Sequence, residues 1–162
     1  MGRTDFFHDP RAPKANSLVP AAGILAVDDT GRLLLQRRRD TGQWAIPMGK
    51  MELGETPTQC AVRETFEETG IRVEPLGLLG IYSDPAYIVA YDDHTDPTVY
   101  GEVRQEFEIT LHGRPLDGTP TANDEASDVR WFTPAELDAL DIHPRMRQQL
   151  ADYLAGLRAH VD

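Results

Sequence analysis

The chain has 162 residues, 40% hydrophobic and 27% charged, so it can form one domain with a core, and a disordered chain is excluded. Its formal net charge of −11 excludes charge-driven nucleic-acid binding and argues against attachment to an anionic membrane surface. One cysteine and no apolar run of membrane-spanning length predict a reduced, soluble, cytoplasmic protein without membrane partners. An anionic ligand would need something other than net charge to attract it.

The first part of the chain is predicted to hold an arm and two strands. Residues 1–16 contain Pro10 and Pro13 and no hydrophobic periodicity, which predicts an N-terminal arm, and residues 17–162 are predicted to form one domain. Residues 18–27 and 32–38 have the composition of strands, joined by a turn rich in Asp and Gly. Residues 43–51 contain Pro47 and Gly49 and are predicted to be a loop.

A helix is predicted over Pro57–Thr69 from the signals at its two ends. Thr56 is a suitable N-cap, Pro57 occupies the first helical position, and Gln59 completes a capping box with Thr56. Gly70 follows at the place where a left-handed residue commonly ends a helix.

Beyond this helix, strand-like segments alternate with polar loops. Strands are predicted at 71–73, 76–82, 86–91, 103–111 and 128–132, and loops at 92–97 and 113–123. A capping box at Thr133 predicts a short helix, and apolar residues at helical spacing from Met146 to Leu157 predict a closing helix. This mixture predicts an α/β fold with a mixed β-sheet flanked by helices. The acidic residues of the first loop are assigned to the surface rather than to a second metal site: Asp92, Asp93 and Asp96.

Three glutamates share one face of the predicted helix. At helical spacing Glu64, Glu67 and Glu68 fall within a sector of about 100°, whereas Val62 and Phe66 lie opposite, on the side predicted to pack against the sheet. Like charges at this spacing cost roughly 0.2–0.5 kcal/mol, and they also oppose the negative end of the helix. Such a face is either a solvated acidic surface or a site for a hard cation. Oxygen ligands without nearby His or Cys favour Mg²⁺ or Mn²⁺ over Zn²⁺.

The spacing of these residues resembles a known family signature. Gly49 is followed after five residues by Glu55 and after seven more by a run from Arg63 to Ile71. The pattern is similar to the Nudix hydrolase signature, Gly-x5-Glu-x7-Arg-Glu-U-x-Glu-Glu-x-Gly-U, where U is bulky and aliphatic. Every charged and glycine position matches, while Thr65 replaces the first aliphatic residue. Met48 also stands where the family often has glycine.

The resemblance implies a Nudix-type α/β/α sandwich and an enzyme that hydrolyses a nucleoside diphosphate linked to another moiety. Water would attack phosphorus with the help of Mg²⁺, for which Mn²⁺ could substitute. By position, Glu64, Glu67 and Glu68 are the implied metal ligands together with the backbone carbonyl of Met48, and Glu64 or Glu67 could also orient the water. The remaining residues of the signature have implied structural roles: Gly49, Glu55, Arg63 and Gly70.

Two further groups of the implied site are left open by the sequence. A loop acid that assists catalysis is expected among several candidates, of which Glu125 is preferred: Asp124, Glu125, Asp128, Glu102 and Glu106. Arg37 or Arg39, at the end of a strand close to the signature, is expected to bind a phosphate, because strand alternation sends Arg38 the other way.

The substrate is also left open. Pro85 lies near where ADP-ribose-directed members of the resembled family carry a proline, so the resemblance favours ADP-ribose or a related nucleoside diphosphate sugar. Tyr87 lies close to where diadenosine-polyphosphate members carry a tyrosine, and nucleoside triphosphates are a further alternative. A non-catalytic nucleotide-sensing module would be expected to have lost some of the carboxylates that are present here. The expected partner is a small-molecule nucleotide, and the oligomeric state is undetermined, with a homodimer compatible.

Overall fold

The computed structural model describes residues 2–92 and 98–162 of the chain. Two α-helices and a 3-10 helix accompany the strands: α1 (Pro57–Thr69), α2 (Pro144–Leu154) and a 3-10 helix at Pro134–Ala139. The strands in chain order are β1 (Arg3–Phe7), β2 (Ser17–Ala26), β3 (Leu33–Arg38), β4 (Trp44–Ala45), β5 (Met48–Lys50), β6 (Ile71–Tyr82), β7 (Tyr87–Tyr91), β8 (Val103–Gly118), β9 (Ala126–Phe132) and β10 (His160–Val161).

The larger sheet is mixed, as predicted. Its strands follow the order β1-β7-β8-β2-β5, with β6 paired to the second half of β8 and β10 paired to β6. Strand β8 runs parallel to β2 and antiparallel to β6 and β7. Strands β4, β3 and β9 form a smaller sheet. No helix among residues 2–92 and 98–162 is long and apolar enough to cross a membrane.

Alternation along β2 places its side chains in two separate cores. Ala22 and Ile24 pack with Cys60 and Ala61 of α1, whereas Leu25 belongs to the cluster that contains α2. Successive strand residues point to opposite faces, so helices cover both sides of the sheet. This arrangement confirms the predicted α/β fold.

The two ends of α1 form as predicted. The hydroxyl of Thr56 accepts a hydrogen bond from the Gln59 amide, and the Gln59 side chain accepts one from the Thr56 amide, which completes the capping box. Gly70 adopts a left-handed conformation with φ of 74°, and its amide donates to the carbonyl of Phe66 over 2.8 Å. Both ends are specified locally, so the helix starts and stops where the sequence indicates.

The packed face of α1 differs from the prediction. Phe66 is 44% exposed, and Arg72 lies over its ring at 5.2 Å, whereas Glu68 is only 4% exposed. The buried side runs through Ala61, Thr65 and Glu68, so it is rotated toward the glutamates. The last turn of α1 closes one end of a polar cleft, and there the carboxylate of Glu68 is buried while the ring of Phe66 is not. The spacing of hydrophobic residues alone therefore predicted the wrong face.

Several strand boundaries also differ from the prediction. Residues 3–7 form β1, an edge strand paired with β7, instead of belonging to an unstructured arm. The predicted loop at 43–51 contains β4 and β5, and β8 continues through much of the predicted loop at 113–123. Strands β1 and β5 and the end of β8 pair with strands distant in sequence, which local composition does not report, whereas β4 pairs with the nearby β3. Asp93 and Asp96, assigned to the surface, lie outside the described residues.

Candidate active site

A cleft of about 270 Å³ runs from α1 to the N-terminal edge of the larger sheet. At one end it is lined by Glu64 and Glu68 of α1 and by β5, and at the other by side chains of β1, β7 and β8. A smaller recess of about 200 Å³ opens beside α1 and is lined only by residues with oxygen donors: Glu64, Glu67, Glu68, Asn123, Asp124 and Glu125. The three helical glutamates therefore share one site with the loop that precedes β9.

Glu68 is the most buried of these acids and is held at one oxygen. Its Oε2 accepts a hydrogen bond from the backbone amide of Met48 over 2.9 Å and another from the side-chain amide of Gln36 over 2.6 Å. Burial raises the pKa of Glu68 to about 8, against the opposing effect of the positive charge of Arg38. Gln36 was not singled out in the sequence, because its role depends on β3 lying beside α1.

Arg63 bridges the other two glutamates. Its Nη1 donates to Glu64 over 2.6 Å and to Glu67 over 3.1 Å. Glu64 lies against the cleft, where burial raises its pKa despite the contact with Arg63, and the charges of Glu67 and Glu125 act in the same direction. The side chain of Glu67 is 57% exposed and is the most accessible of the three.

Arg63 also ties the helix to the loop that precedes it. Its Nε and Nη2 donate to the two carboxylate oxygens of Glu55 over 2.8 and 3.0 Å, and Nη2 reaches the carbonyl of Lys50 over 3.3 Å. The Arg63 guanidinium lowers the pKa of Glu55 to about 2. This two-point pairing is the geometry that arginine provides and lysine cannot.

Gly49 and Thr65 each occupy a closely packed position of the signature. A Cβ atom on Gly49 would lie 2.1 Å from the carboxyl carbon of Glu64, so a larger residue would displace this carboxylate from its position. Thr65, which stands where the signature has an aliphatic residue, is fully buried, and its hydroxyl donates to the carbonyl of Ala61 over 2.7 Å. The additional hydroxyl therefore has a partner within α1.

Among the loop acids, Glu125 and Asp124 line the recess with the helical glutamates. The other candidates lie elsewhere: Asp128 pairs with Arg130 at 2.5 Å, Glu102 pairs with Arg104 at 2.8 Å, and Glu106 lies at the opposite end of the cleft.

Asn123 joins this loop to the end of α1. Its side-chain amide donates to the carbonyls of Glu67 and Glu68 over 3.1 and 2.8 Å, and its Oδ1 accepts from the amide of Glu125 over 2.8 Å. One residue thus satisfies free carbonyls at the helix end and orients the acidic loop. Sequence reasoning missed Asn123, because its contacts with the end of α1 join residues more than fifty positions apart and have no local signal.

The three consecutive arginines point in different directions. Arg37 donates to the carbonyl of Gly42 over 2.9 Å and does not line the cleft. Arg39 donates to the carbonyl of Asn123 over 2.8 Å, and Arg38 lines the cleft near Glu68. The register of β3 against β9 shifts between Arg37 and Arg38. Arg38, which strand alternation was expected to place on the opposite face from the phosphate-binding candidates, is the arginine of the three that reaches the cleft.

The donor atoms in the recess suit a hard divalent cation, since all are oxygen. As the side chains stand, no three carboxylate, histidine or cysteine groups within the described ranges 2–92 and 98–162 converge enough to hold a metal ion. The guanidinium of Arg63 instead bridges Glu64 and Glu67. Met48 contributes its amide to Glu68 and lines the cleft beside the same acids.

Comparisons with known proteins agree with this fold. The family model described as NUDIX domain matches residues 17–153. A MutT-like protein from Streptomyces ambofaciens is 36% identical over 147 residues, covering 88% of this chain and 80% of the other. An RNA pyrophosphohydrolase from Roseobacter denitrificans is 29% identical, covering 88% of this chain and 92% of its own.

A solved structure shows the same fold. The crystal structure of a NUDIX hydrolase from Nitrosomonas europaea superposes with a TM-score of 0.68 at 24% identity, covering 91% of this chain and 79% of that one. The family model and the relative from Streptomyces ambofaciens show that the chain belongs to the Nudix hydrolase family. It is an enzyme of that family's pyrophosphohydrolase class, whose members generally depend on divalent metal ions and act on small nucleotides.

Proposed function

We propose that this enzyme uses Mg²⁺, with Mn²⁺ as a substitute, to hydrolyse a phosphoanhydride bond in a nucleoside diphosphate linked to another moiety. The reaction is attack of water on phosphorus. The observation that carries the proposal is the recess in which Glu64, Glu67 and Glu68 meet Glu125 across an opening lined only by oxygen donors.

Glu64, Glu67, Glu68 and the backbone carbonyl of Met48 would hold the cation. When bound, the cation neutralises the diphosphate and polarises its phosphoryl oxygens. Arg63 would then give up its contacts with Glu64 and Glu67 and keep its two hydrogen bonds to Glu55. The anchored pair of Arg63 and Glu55 would maintain the loop and helix in position while the glutamates reorient.

Glu125 is the residue that we propose to take the proton from the attacking water. It lies on the loop that faces α1, and Asn123 holds the amide of Glu125 through a hydrogen bond of 2.8 Å. A carboxylate that approaches from a separate loop can accept this proton without releasing the cation. Glu64 and Glu67 remain the alternatives on the helix.

Arg38 is proposed to bind the phosphate that is not cleaved. It lines the cleft and also a second recess, which adjoins the first and lies between the end of β3 and Glu68 and Glu125. Arg37 lines neither of them. Arg39 also lines the second recess and could assist Arg38 in binding the phosphate. Local arginines and the cation would thus attract an anionic substrate to a protein whose net charge is −11.

We propose ADP-ribose or a related nucleoside diphosphate sugar as the substrate, with residues 17–162 acting as one catalytic domain. Diadenosine polyphosphates are a second candidate, because Tyr87 lines the cleft while Pro85 lies in a separate surface depression. Nucleoside triphosphates would also place their phosphates at α1.

A substrate panel tests the proposal. ADP-ribose, diadenosine polyphosphates, nucleoside triphosphates and capped RNA are incubated with and without Mg²⁺, and release of AMP or phosphate is measured. We expect hydrolysis of ADP-ribose that needs the divalent ion. Binding of nucleotides without hydrolysis of any compound would instead identify a sensing module.

A further inference from the structure

The end of the cleft away from α1 has an unusually polar floor. Three adjacent strands contribute to it: Arg3 lies on β1, Tyr87 and Tyr91 on β7, and Arg104 and Glu106 on β8. Arg3 precedes the region matched by the family model, which begins at residue 17. Strand β1 therefore adds the charge of Arg3 to a cleft whose other parts lie mainly within the matched region, residues 17–153.

Glu106 is the group in this floor for which the described residues provide no partner. It is 8% exposed and lines the cleft, yet among the described residues no side chain donates a hydrogen bond or forms an ion pair with it. The arginines that face it pair elsewhere, Arg3 with Asp5 at 2.7 Å and Arg104 with Glu102 at 2.8 Å. The carboxylate is largely buried but keeps contact with solvent in the cleft, since its oxygens are not among the atoms that are cut off from water without a partner. A carboxylate with so little solvent and no protein donor is costly, so its presence facing the cleft indicates a ligand that supplies the donor.

The adjacent acid on the same strand face does not share this property. Glu108 accepts a hydrogen bond of 2.6 Å from Gln149, and Gln149 in turn accepts one from Thr110 over 2.7 Å. Glu108 is therefore part of a closed network between β8 and α2. Of these two acids, Glu106 is therefore the one with an open acceptor among the described residues.

We propose that Glu106 accepts hydrogen bonds from the N–H groups of a purine base on the substrate, while Arg3 donates to the neighbouring ring nitrogen or carbonyl. This subsite rests on the proposed function, because phosphates held at α1 would direct the nucleoside along the cleft toward Glu106. A purine edge places donors next to acceptors, which matches a carboxylate flanked by a guanidinium. Sugar hydroxyls alone would not require the arginine.

Binding of reaction products tests the subsite without any need for hydrolysis. AMP, GMP and ribose 5-phosphate are titrated by calorimetry, without divalent ions, into the native protein and into Glu106→Leu. Hydrogen bonds to a charged group are strong, so we expect Glu106→Leu to weaken the tighter-binding purine nucleotide at least about 10-fold. Ribose 5-phosphate should bind both proteins equally. The purine nucleotide that binds more tightly identifies the base.

Gln105→Leu is the matched control, because Gln105 is the next residue on β8 and lies outside the cleft, beside a separate surface depression. Its affinities should equal those of the native protein. Arg3→Met, on an edge strand, provides a second variant if Glu106→Leu does not fold, and it should also weaken the purine nucleotide more than ribose 5-phosphate.

Three results would overturn the subsite. The first is that AMP and GMP bind no more tightly than ribose 5-phosphate. The second is that Glu106→Leu weakens the binding of all three ligands equally. The third is that a folded Glu106→Leu or Arg3→Met variant binds every ligand like the native protein. Parallel hydrolysis assays distinguish the two ideas. If the protein prefers one purine nucleotide but hydrolyses none of the compounds, only the proposed function is refuted. If it hydrolyses the substrate but Glu106→Leu leaves the affinity for the purine nucleotide unchanged, only the subsite is refuted.

Discussion

The side-chain amide of Gln36, in β3, donates a hydrogen bond of 2.6 Å to Glu68 in the last turn of α1. The backbone amide of Met48 donates to the same oxygen, so both donors act on Oε2 and leave Oε1 toward the cleft. Two donors from separate strands thus determine the orientation of a buried carboxylate. Gln36 is a positioning residue, since it acts through Glu68.

Replacing Gln36 with Leu should lower kcat about 10-fold with little change in the KM of the substrate, because a single hydrogen bond to a charged group is lost while the substrate contacts remain. The Mg²⁺ concentration for half-maximal activity should rise, since Glu68 is less well oriented. Gln105→Leu provides the control. A positioning role would be contradicted if Gln36→Leu lost the same fraction of activity at saturating and at limiting Mg²⁺, with the Mg²⁺ concentration for half-maximal activity unchanged.

Glu67→Gln and Glu68→Gln should each lower turnover by about 10²-fold or more, as expected for removal of a charged group that acts in the transition state. Glu67 is exposed, so its variant should keep the native melting temperature. Glu52→Gln, an exposed acid in the preceding loop, should retain full activity. Mg²⁺-dependent turnover at the native rate in both variants would eliminate these residues as ligands.

Glu125→Gln should lower kcat and change the acidic side of the pH profile, because a base must lose its proton before it can act. A rise that comes from Glu64 and Glu68, whose pKa values are raised by burial, should remain. Asp124→Asn reports on the other acid of the recess, and Asp128→Asn serves as a control because Asp128 pairs with Arg130. A Glu125→Gln enzyme with the native pH profile would assign the base to another residue.

Glu108→Gln should make the protein's stability less dependent on pH. Burial raises the pKa of Glu108 from 4.5 to about 8. Between these values the unfolded chain has released the proton and the folded protein has kept it, so the free energy of unfolding falls as pH rises and levels off above about 8. The introduced amide oxygen can still accept from Gln149, so the variant should gain stability relative to the native protein toward pH 8.

Urea unfolding on both sides of this pH interval measures the effect. A smaller fall should persist in the variant, because burial also raises the pKa of Glu68 to about 8. Glu52→Gln should follow the native curve. Parallel curves for Glu108→Gln and the native protein would show that Glu108 ionises normally in the fold.

Features encoded within a short stretch of chain could be predicted from the sequence. The capping box of Thr56 and Gln59, the start of α1 at Pro57 and its end at Gly70 all depend on contacts within one or two turns. The signature from Gly49 to Ile71 led to the family, and the family model over residues 17–153 confirms it. The mixed sheet followed from the alternation of strand-like and helical segments.

The face of α1 and the direction of the arginines could not be predicted in this way. Phe66 was expected on the side that packs against the sheet and Glu68 on the opposite side, yet Phe66 is 44% exposed and Glu68 is buried against Gln36. Arg38 reaches the cleft because of the register of β3 against β9. Both depend on how separate elements dock, which helical and strand periodicity do not specify.

The sequence by itself thus determined the identity and spacing of the helical glutamates, because a helix fixes the relative directions of residues three and four apart. Only the tertiary structure decided which groups face them. Asn123 reaches Glu67 and Glu68 across more than fifty residues, and β1 carries Arg3 to the same cleft as Glu106. These contacts arise from strand pairing between distant parts of the chain, which depends on the complete fold.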